Sequence, residues 1–168
     1  TVSVTGTGDH TESGIELDAG LTVVESHHDG QKGFKSTLVD GSGAETVFGF
    51  HVGPYDGEDA ALLTGGEYEL RVESDGEWEI EIRQPRAERG DDPTGSLSGD
   101  RPAVRGPYQF DGEHSASASH EGSGDFVVRV YPATGEHGTL VFTDLGSFEG
   151  ETTFEHEGIG WIDVEAAG

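Results

Sequence analysis

The chain contains no cysteine, no methionine and no asparagine. Without cysteine there are no disulfides and no thiol chemistry, although this alone does not fix the compartment. Without methionine, Thr1 is not a translation start. We read Thr1 as a processed end from which a signal or lipoprotein leader has been removed, which implies an extracellular or cell-surface location. Without asparagine there is no N-glycosylation acceptor. No apolar run approaches the roughly 20 residues that cross a bilayer as a helix, so no transmembrane segment is expected. Helical periodicity is also missing, and 28 glycines would interrupt most helices of useful length. Basic residues are scarce, with 9 Lys and Arg against 34 Asp and Glu. No basic face exists to neutralise phosphates, which argues against nucleic acid as a partner.

What the chain has in excess is acid. Its formal charge is −25, and the distribution is uneven. Residues 1–82 hold 18 acids and 3 bases, residues 83–107 hold 4 and 5, and residues 108–168 hold 12 and 1. The net charges of these segments are therefore −15, +1 and −11. High charge often marks disorder. Here, however, the acids alternate with apolar residues, as in Tyr68-Glu69-Leu70-Arg71-Val72. That pattern describes folded lobes with acidic skins. The composition resembles that of proteins from extreme halophiles, haloarchaea above all.

Period-two alternation predicts short strands near 1–4, 14–17, 21–24, 34–39, 46–52, 60–63, 68–72 and 78–82. Gly- and Asp-rich turns separate them, among them Asp29-Gly30, Asp56-Gly57, Gly65-Gly66 and Asp75-Gly76. A shorter series follows near 94–98, 108–110, 115–120, 126–131, 139–142, 152–154 and 161–164. The landmarks repeat in order. His28-Asp29-Gly30, with Phe34, returns 92 residues later as His120-Glu121-Gly122, with Phe126. Gly53-Pro54-Tyr55-Asp56-Gly57-Glu58 returns 93 residues later as Gly146-Ser147-Phe148-Glu149-Gly150-Glu151. Each series closes on a tryptophan, Trp78 and Trp161, and we take these two as equivalent. Such a repeat implies two copies of one structural unit. The predicted fold is all-β, with two tandem antiparallel β-sandwich domains of jelly-roll type: residues 1–84, a linker at 85–93, and a shortened copy at 94–168.

The boundary region is distinctive. Residues 83–107 contain four of the six prolines and five of the nine basic residues. Proline stiffens such a connection. Arg86, Arg89, Arg101 and Arg105 are expected to pair with carboxylates of both lobes and fix their orientation.

The run Gly20-Leu21-Thr22-Val23, His28-Asp29-Gly30, Gly53-Pro54-Tyr55-Asp56-Gly57, Gly66 to Val72 and Gly76 to Ile82, with Gln84-Pro85, resembles a β-sandwich unit. That unit recurs in secreted and cell-surface proteins of haloarchaea and some bacteria. The resemblance covers nearly all of the first copy. The second copy departs from it, with Ser147 in place of Pro54 and a shortened final hairpin. The resemblance implies fold and location and implies no activity. More loosely, the unit is similar to small jelly-roll modules appended to secreted hydrolases, some of which bind carbohydrate or calcium.

Candidate site residues follow from residue type. Trp161, Tyr55 and Phe148 are candidate stacking platforms for a polysaccharide. Asp9, Asp18 and Asp29 in the first copy, and Asp100, Asp111 and Glu121 in the second, lie near glycines and are candidate oxygen ligands for Ca2+ or for bound monovalent cations. His28 and His120 are expected to bond local backbone beside a turn. His27 and His28 point to opposite faces of one strand, which argues against a shared metal. There is no Gly-x-Ser-x-Gly, phosphate loop or His-Glu-x-x-His, and no organic cofactor is expected. The expected function is a non-catalytic accessory or adhesion module, with a cell-surface polymer or polysaccharide as possible partner. The alternatives are a carbohydrate- or divalent-cation-binding sandwich, or a small hydrolase with a site between the lobes.

One prediction rests on charge alone. Lowering salt below about 0.5 M will destabilise the fold through carboxylate repulsion that salt otherwise screens. Thermal melts from low to molar NaCl measure this, and a melting temperature independent of salt would overturn the halophile reading.

Overall fold

The computed structural model describes residues 1–93, 102–134 and 138–166. The strand expected at 94–98, Asp100, Arg101 and His137 lie outside these residues. The described residues form twelve strands and no helix, and every sheet pairing is antiparallel. The chain divides into two units, Thr1–Gln84 and Pro85–Gly168.

The first unit contains β1 (Val2–Thr7), β2 (His10–Leu17), β3 (Gly20–His28), β4 (Gly33–Val39), β5 (Glu45–Val52), β6 (Tyr55–Leu63), β7 (Gly66–Glu73) and β8 (Glu77–Arg83). They form two four-stranded sheets, ordered β1-β8-β3-β6 and β2-β7-β4-β5. Within these sheets β4 pairs β5, β3 pairs β6, β2 pairs β7 and β1 pairs β8. These pairings are nested, as if one long hairpin about the β4–β5 turn had been wound into two sheets, which is the jelly-roll arrangement. The ribbon leaves one sheet for the other at Asp18-Ala19 and Thr64-Gly65. Beyond each corner stands a glycine with positive φ, Gly20 at 123° and Gly66 at 142°. Gln84 holds the corner: its Oε1 accepts from the Asp18 N–H at 3.0 Å, and its Nε2 donates to the Asp18 carbonyl at 2.7 Å.

Alternation sorts the side chains as expected. Tyr68, Leu70 and Val72 face a core shared with Trp78, Ile80, Ile82, Phe34, Leu38 and Phe48. Each fully buried aliphatic or aromatic side chain of this kind stabilises by roughly 1.5–3 kcal/mol.

The second unit contains β9 (Ala103–His120), β10 (Asp125–Pro132), β11 (Thr139–Leu145) and β12 (Phe148–Ala166), ordered β11-β10-β12-β9 in one sheet. The nesting persists, with β10 paired to β11 and β9 to β12. The expectation of a second two-sheet sandwich is modified here. The ribbon that breaks at two corners in the first unit runs on as strands of 18 and 19 residues. Gly112 and Gly158, also with positive φ, stand where Gly20 and Gly66 stand in the first unit. Pairing continues through them, with Gly112 opposite His156 and Gly158 opposite Phe110. The 85–93 segment, read from sequence as a linker, groups with this unit, and Asp91 bridges Tyr108.

Registers test the repeat residue by residue. Ser36 and Thr37 straddle a bulge in the β4–β5 pairing, and Val128 and Arg129 straddle one in the β10–β11 pairing. Lys35 pairs with Glu73, and Val127 pairs with Glu165, again 92 residues on. The same register corrects the equivalence of the tryptophans. Trp161 pairs with Tyr131 as Glu69 pairs with Val39, so Trp161 matches Glu69 and not Trp78.

The shared landmarks build one clamp twice. His28 stacks on Phe34 with ring centroids 4.6 Å apart, and its Nδ1–H donates to the Gly53 carbonyl at 3.1 Å. His120 stacks on Phe126 at 4.9 Å and donates to the Gly146 carbonyl at 2.9 Å. The N–H groups of these glycines donate to the carbonyls of Lys32 and Gly124, both at 2.9 Å. One imidazole thus ties the end of one strand, the start of the next and the turn after the third. The copies differ behind the ring. Neither Nε2 has a hydrogen-bond partner; Asp75 Oδ1 lies 3.5 Å from His28 Nε2, and among the described residues no such carboxylate stands by His120 Nε2. Burial raises the Asp75 pKa, but hydrogen bonds from the Lys32 and Gln31 N–H groups and the nearby His28 hold its carboxyl below the usual range. Gly30 must be glycine here, because a Cβ would lie 2.1 Å from Asp75 Oδ1 and 2.4 Å from His28 Nε2.

His28→Ala removes a buried ring, its stack and its hydrogen bond, and will destabilise the first unit by about 3 kcal/mol. His120, partly exposed, will lose less on the same change, about 1–2 kcal/mol. Denaturant melts in molar salt compare the two, and equal losses would contradict this ranking.

Candidate functional site

The candidate surface lies on the outer face of the β2-β7-β4-β5 sheet. There Asp9, His10, Thr11, Lys35, Thr37, Glu45, Arg71, Val72 and Glu73 line an open groove of about 530 Å³. Its floor follows from register. Phe50, Lys35 and Glu73 stand side by side across β5, β4 and β7. Val47, Thr37, Arg71 and Thr11 form the neighbouring row across all four strands. Most charges around the groove are already engaged. Arg71 donates to Glu69 at 2.7 Å and to Glu45 at 3.4 Å. Asp9 accepts from the Ser74 N–H at 2.9 Å, and His10 Nε2 lies 3.0 Å from Glu12. Lys35 makes no ion pair among the described residues. Donors and acceptors therefore stand next to each other on an open polar floor.

An apolar rim borders the groove. Phe50 is 67% exposed and Val52 76%, and Val47 is also exposed, all on edge strand β5. The other large exposed hydrophobics among the described residues, Leu140 and Leu145, lie on edge strand β11 at the positions matching Val47 and Val52. Sequence reasoning missed this rim. Strict alternation puts Phe48 and Phe50 on one face, but the bulge opposite Ser36/Thr37 reverses the phase, so Phe48 enters the core and Phe50 leaves it. Gly49 inside the strand pattern was the available signal.

Two of the three expected platforms are buried. Trp161 is 3% exposed and Tyr55 9%. Tyr55 stacks on His51 at 3.6 Å, and its O–H donates to Asp59 at 3.0 Å. Phe148 is half-buried and packs on Phe126 and Phe142 at 5.9 and 5.5 Å. The rings of Trp161 and Tyr55 are enclosed by the fold, while Phe148 keeps part of its ring exposed.

The candidate metal ligands also do not converge. Asp9 caps the turn at Ser74. The backbone of Asp18 is clasped by Gln84. Asp29 lies 3.1 Å from His27 Nε2, and Asp111 lies 3.1 Å from His114 Nε2. Asp100 lies outside the described residues. Among those residues no three His, Asp or Glu side chains gather as a metal-binding group. Of the boundary arginines, Arg86 donates to the Pro85 carbonyl at 2.8 Å and Arg105 to the Val104 carbonyl at 3.5 Å. Arg89 is exposed and Arg101 lies outside the described residues.

Asp163 was not anticipated. It is buried on β12 opposite Arg129 of β10, next to the Trp161–Tyr131 pair. Burial, and then the negative charge of Asp163, push the Tyr131 hydroxyl up to about 12, with Arg129 pulling the other way. A raised folded-state value means that the stability this group confers is complete below the ordinary pKa of 10.0 and is lost as pH rises towards 12. Absorbance titration will show a late-ionising step that Tyr131→Phe removes, with unfolding free energy of the parent chain declining over that window. Identical titration curves for the parent chain and Tyr131→Phe above pH 10 would refute it.

No family model matches the chain, and no curated protein matches it in sequence.

Proposed function

We propose that the chain is a non-catalytic accessory or adhesion module of a secreted or cell-surface protein from an extreme halophile. The observation that carries this reading is where the repeated residues go. The histidines, aromatic rings and glycines kept in both copies are used in the clamp, bonded to backbone and to one another. They form a device for holding strands and present no reactive group to solvent. The exposed acids then serve solubility in brine, where their repulsion is screened. The resemblance of the first copy to secreted haloarchaeal sandwich units points the same way.

A second reading is favoured by the groove on β2-β7-β4-β5. Phe50 offers an exposed ring beside Lys35, and the floor alternates donors with acceptors. A hydroxyl-rich polymer fits such a surface, because sugar rings present an apolar face and a polar edge. In this reading the module holds a cell-surface polysaccharide.

Calorimetry with neutral and anionic polysaccharides in molar KCl tests both readings. Binding that weakens about tenfold in Phe50→Ala and in Lys35→Ala, about 1.4 kcal/mol each, supports the groove. Binding unchanged by both substitutions removes the groove from consideration. Turnover of a glycan by the purified chain would overturn the non-catalytic reading altogether.

A further inference from the structure

Three of the five large exposed hydrophobics among the described residues, Val47, Phe50 and Val52, lie on one strand, β5, which stands last in its sheet. Edge strands are usually guarded by lysine, proline, inward charge or a bulge, because their free N–H and C=O groups can pair with another chain. From Glu45 to Val52 this edge has no lysine, arginine or proline and a single acid, Glu45, in a chain where 34 of 168 residues are acids.

The one guard present, the bulge, decides which strand fits. Glu45, Val47, Phe50 and Val52 stand on the outer face, whereas Thr46, Phe48 and His51 turn inward. Phe48 is the residue left over, since Val47 pairs with Thr37 and Gly49 with Ser36. A regular strand added to the free edge would also have to leave a residue of β5 unpaired to keep the faces in phase, as β4 does. A second copy carries the same bulge. Run antiparallel about an axis between Phe48 and Gly49, it leaves none over. Val47 then meets the partner's Phe50, Glu45 meets the partner's Val52, and Thr46 meets the partner's His51. Outer residues face outer ones, and inner face inner. The one acid faces an apolar residue instead of its own counterpart, so no like charges oppose each other across the seam. Just beyond the strand ends, Ala44 would face the partner's Gly53 and Gly43 the partner's Pro54, all small and uncharged.

We propose that two copies of the chain associate through β5, antiparallel and two-fold, joining their four-stranded β2-β7-β4-β5 sheets into one continuous sheet. The interface is isologous, so it closes at two copies. Main-chain hydrogen bonds give the affinity, and the Val47–Phe50 contact, made twice, sets the register. Edge strand β11 offers less, because at the place of Phe50, 93 residues on, it has Thr143, and Asp144 is exposed beside it. The pairing uses the strand edge and leaves the outer sheet face open, so it goes beyond the polysaccharide reading and does not depend on it.

Sedimentation velocity of the whole chain in molar NaCl is expected to show a mass that rises with concentration from one copy to two and stops there. Hydrogen exchange at 45–52 should slow in the dimer and stay unchanged at 139–145. Val47→Glu should weaken the dimer about a hundredfold, about tenfold at each of two symmetric places, without lowering the melting temperature of the monomer, because Val47 is 51% exposed. The chain has no cysteine, so single-cysteine variants report the register. A mixture of Val47→Cys and Phe50→Cys should cross-link under oxidation about tenfold faster than either variant alone. Cross-strand partners lie about 5 Å apart, and residues three positions out of register lie too far for a disulfide. A single-copy mass at millimolar concentration would overturn the proposal. So would assembly that continues past two copies, protection confined to 139–145, an unweakened Val47→Glu dimer, or equally fast cross-linking of Val47→Cys alone.

Discussion

The rest of the structure depends on one contact, the imidazole at the end of β3 lying flat on the phenyl ring at the start of β4. Strands of six to nine residues hold little by themselves, and a sandwich of about 80 residues has a small core. Its loops must therefore be fixed by something other than bulk. His28 does this with one ring. Its face contributes stacking, its Nδ1–H satisfies the Gly53 carbonyl, and Gly53 in turn ties back to Lys32. Two turns are fixed relative to one another without a disulfide, in a chain that has no cysteine. The second copy keeps every element of this arrangement.

The acidic surface imposes the second constraint. Register places Glu81, Glu25 and Glu58 directly side by side across β8, β3 and β6. Like charges so placed oppose sheet formation. Arg83 answers them, at 3.0 Å from Glu25, 2.6 Å from Glu58 and 4.0 Å from Glu81. In the next row His27 separates Glu79 from Asp56. In the other sheet Arg71 joins Glu69 and Glu45. Such exposed pairs are individually weak, roughly 0–1 kcal/mol, and cannot offset 34 acids. At about 1 M the screening length is roughly 3 Å, shorter than the roughly 5 Å between cross-strand neighbours.

The division between what was legible and what was not follows from these two constraints. Alternation in 68–72 and 78–82 and the Asp-Gly turns revealed the strands and the all-β class, because each depends on local sequence. The His-Asp-Gly and Gly-Pro-Tyr-Asp-Gly landmarks revealed the repeat, because the clamp needs those residues at that spacing. The candidate site was read poorly. Trp161, Tyr55 and Phe148 were chosen as aromatics that could be exposed, and burial is decided by partners distant in sequence. Tyr55 is covered by His51, and Trp161 closes against Gly106, where a Cβ would come within 2.8 Å of its indole. Phe50 escaped notice because a bulge set by pairing between strands reversed its phase. Of the acids expected as ligands, Asp9 caps a turn and Asp29 and Asp111 meet histidines, since carboxylates are so abundant here that position near a glycine carries little information.

The contrast between the ribbons has a common physical cause. A ribbon that turns a corner between sheets must give up ladder hydrogen bonds there, and the freed backbone groups need other partners. In the first unit Gln84 provides them, taking both the N–H and the carbonyl of Asp18. Gln84 follows directly on β8. The break between β2 and β3 is therefore tied to the presence of β8, because the strand delivers the side chain that satisfies the corner. In the second unit the positive-φ glycines remain, at Gly112 and Gly158. The ladder then satisfies its own backbone by pairing through the glycines, and β9 and β12 run uninterrupted. The same wound hairpin gives two sheets where the ladder breaks at Asp18 and Thr64, and one sheet where it pairs on through Gly112 and Gly158.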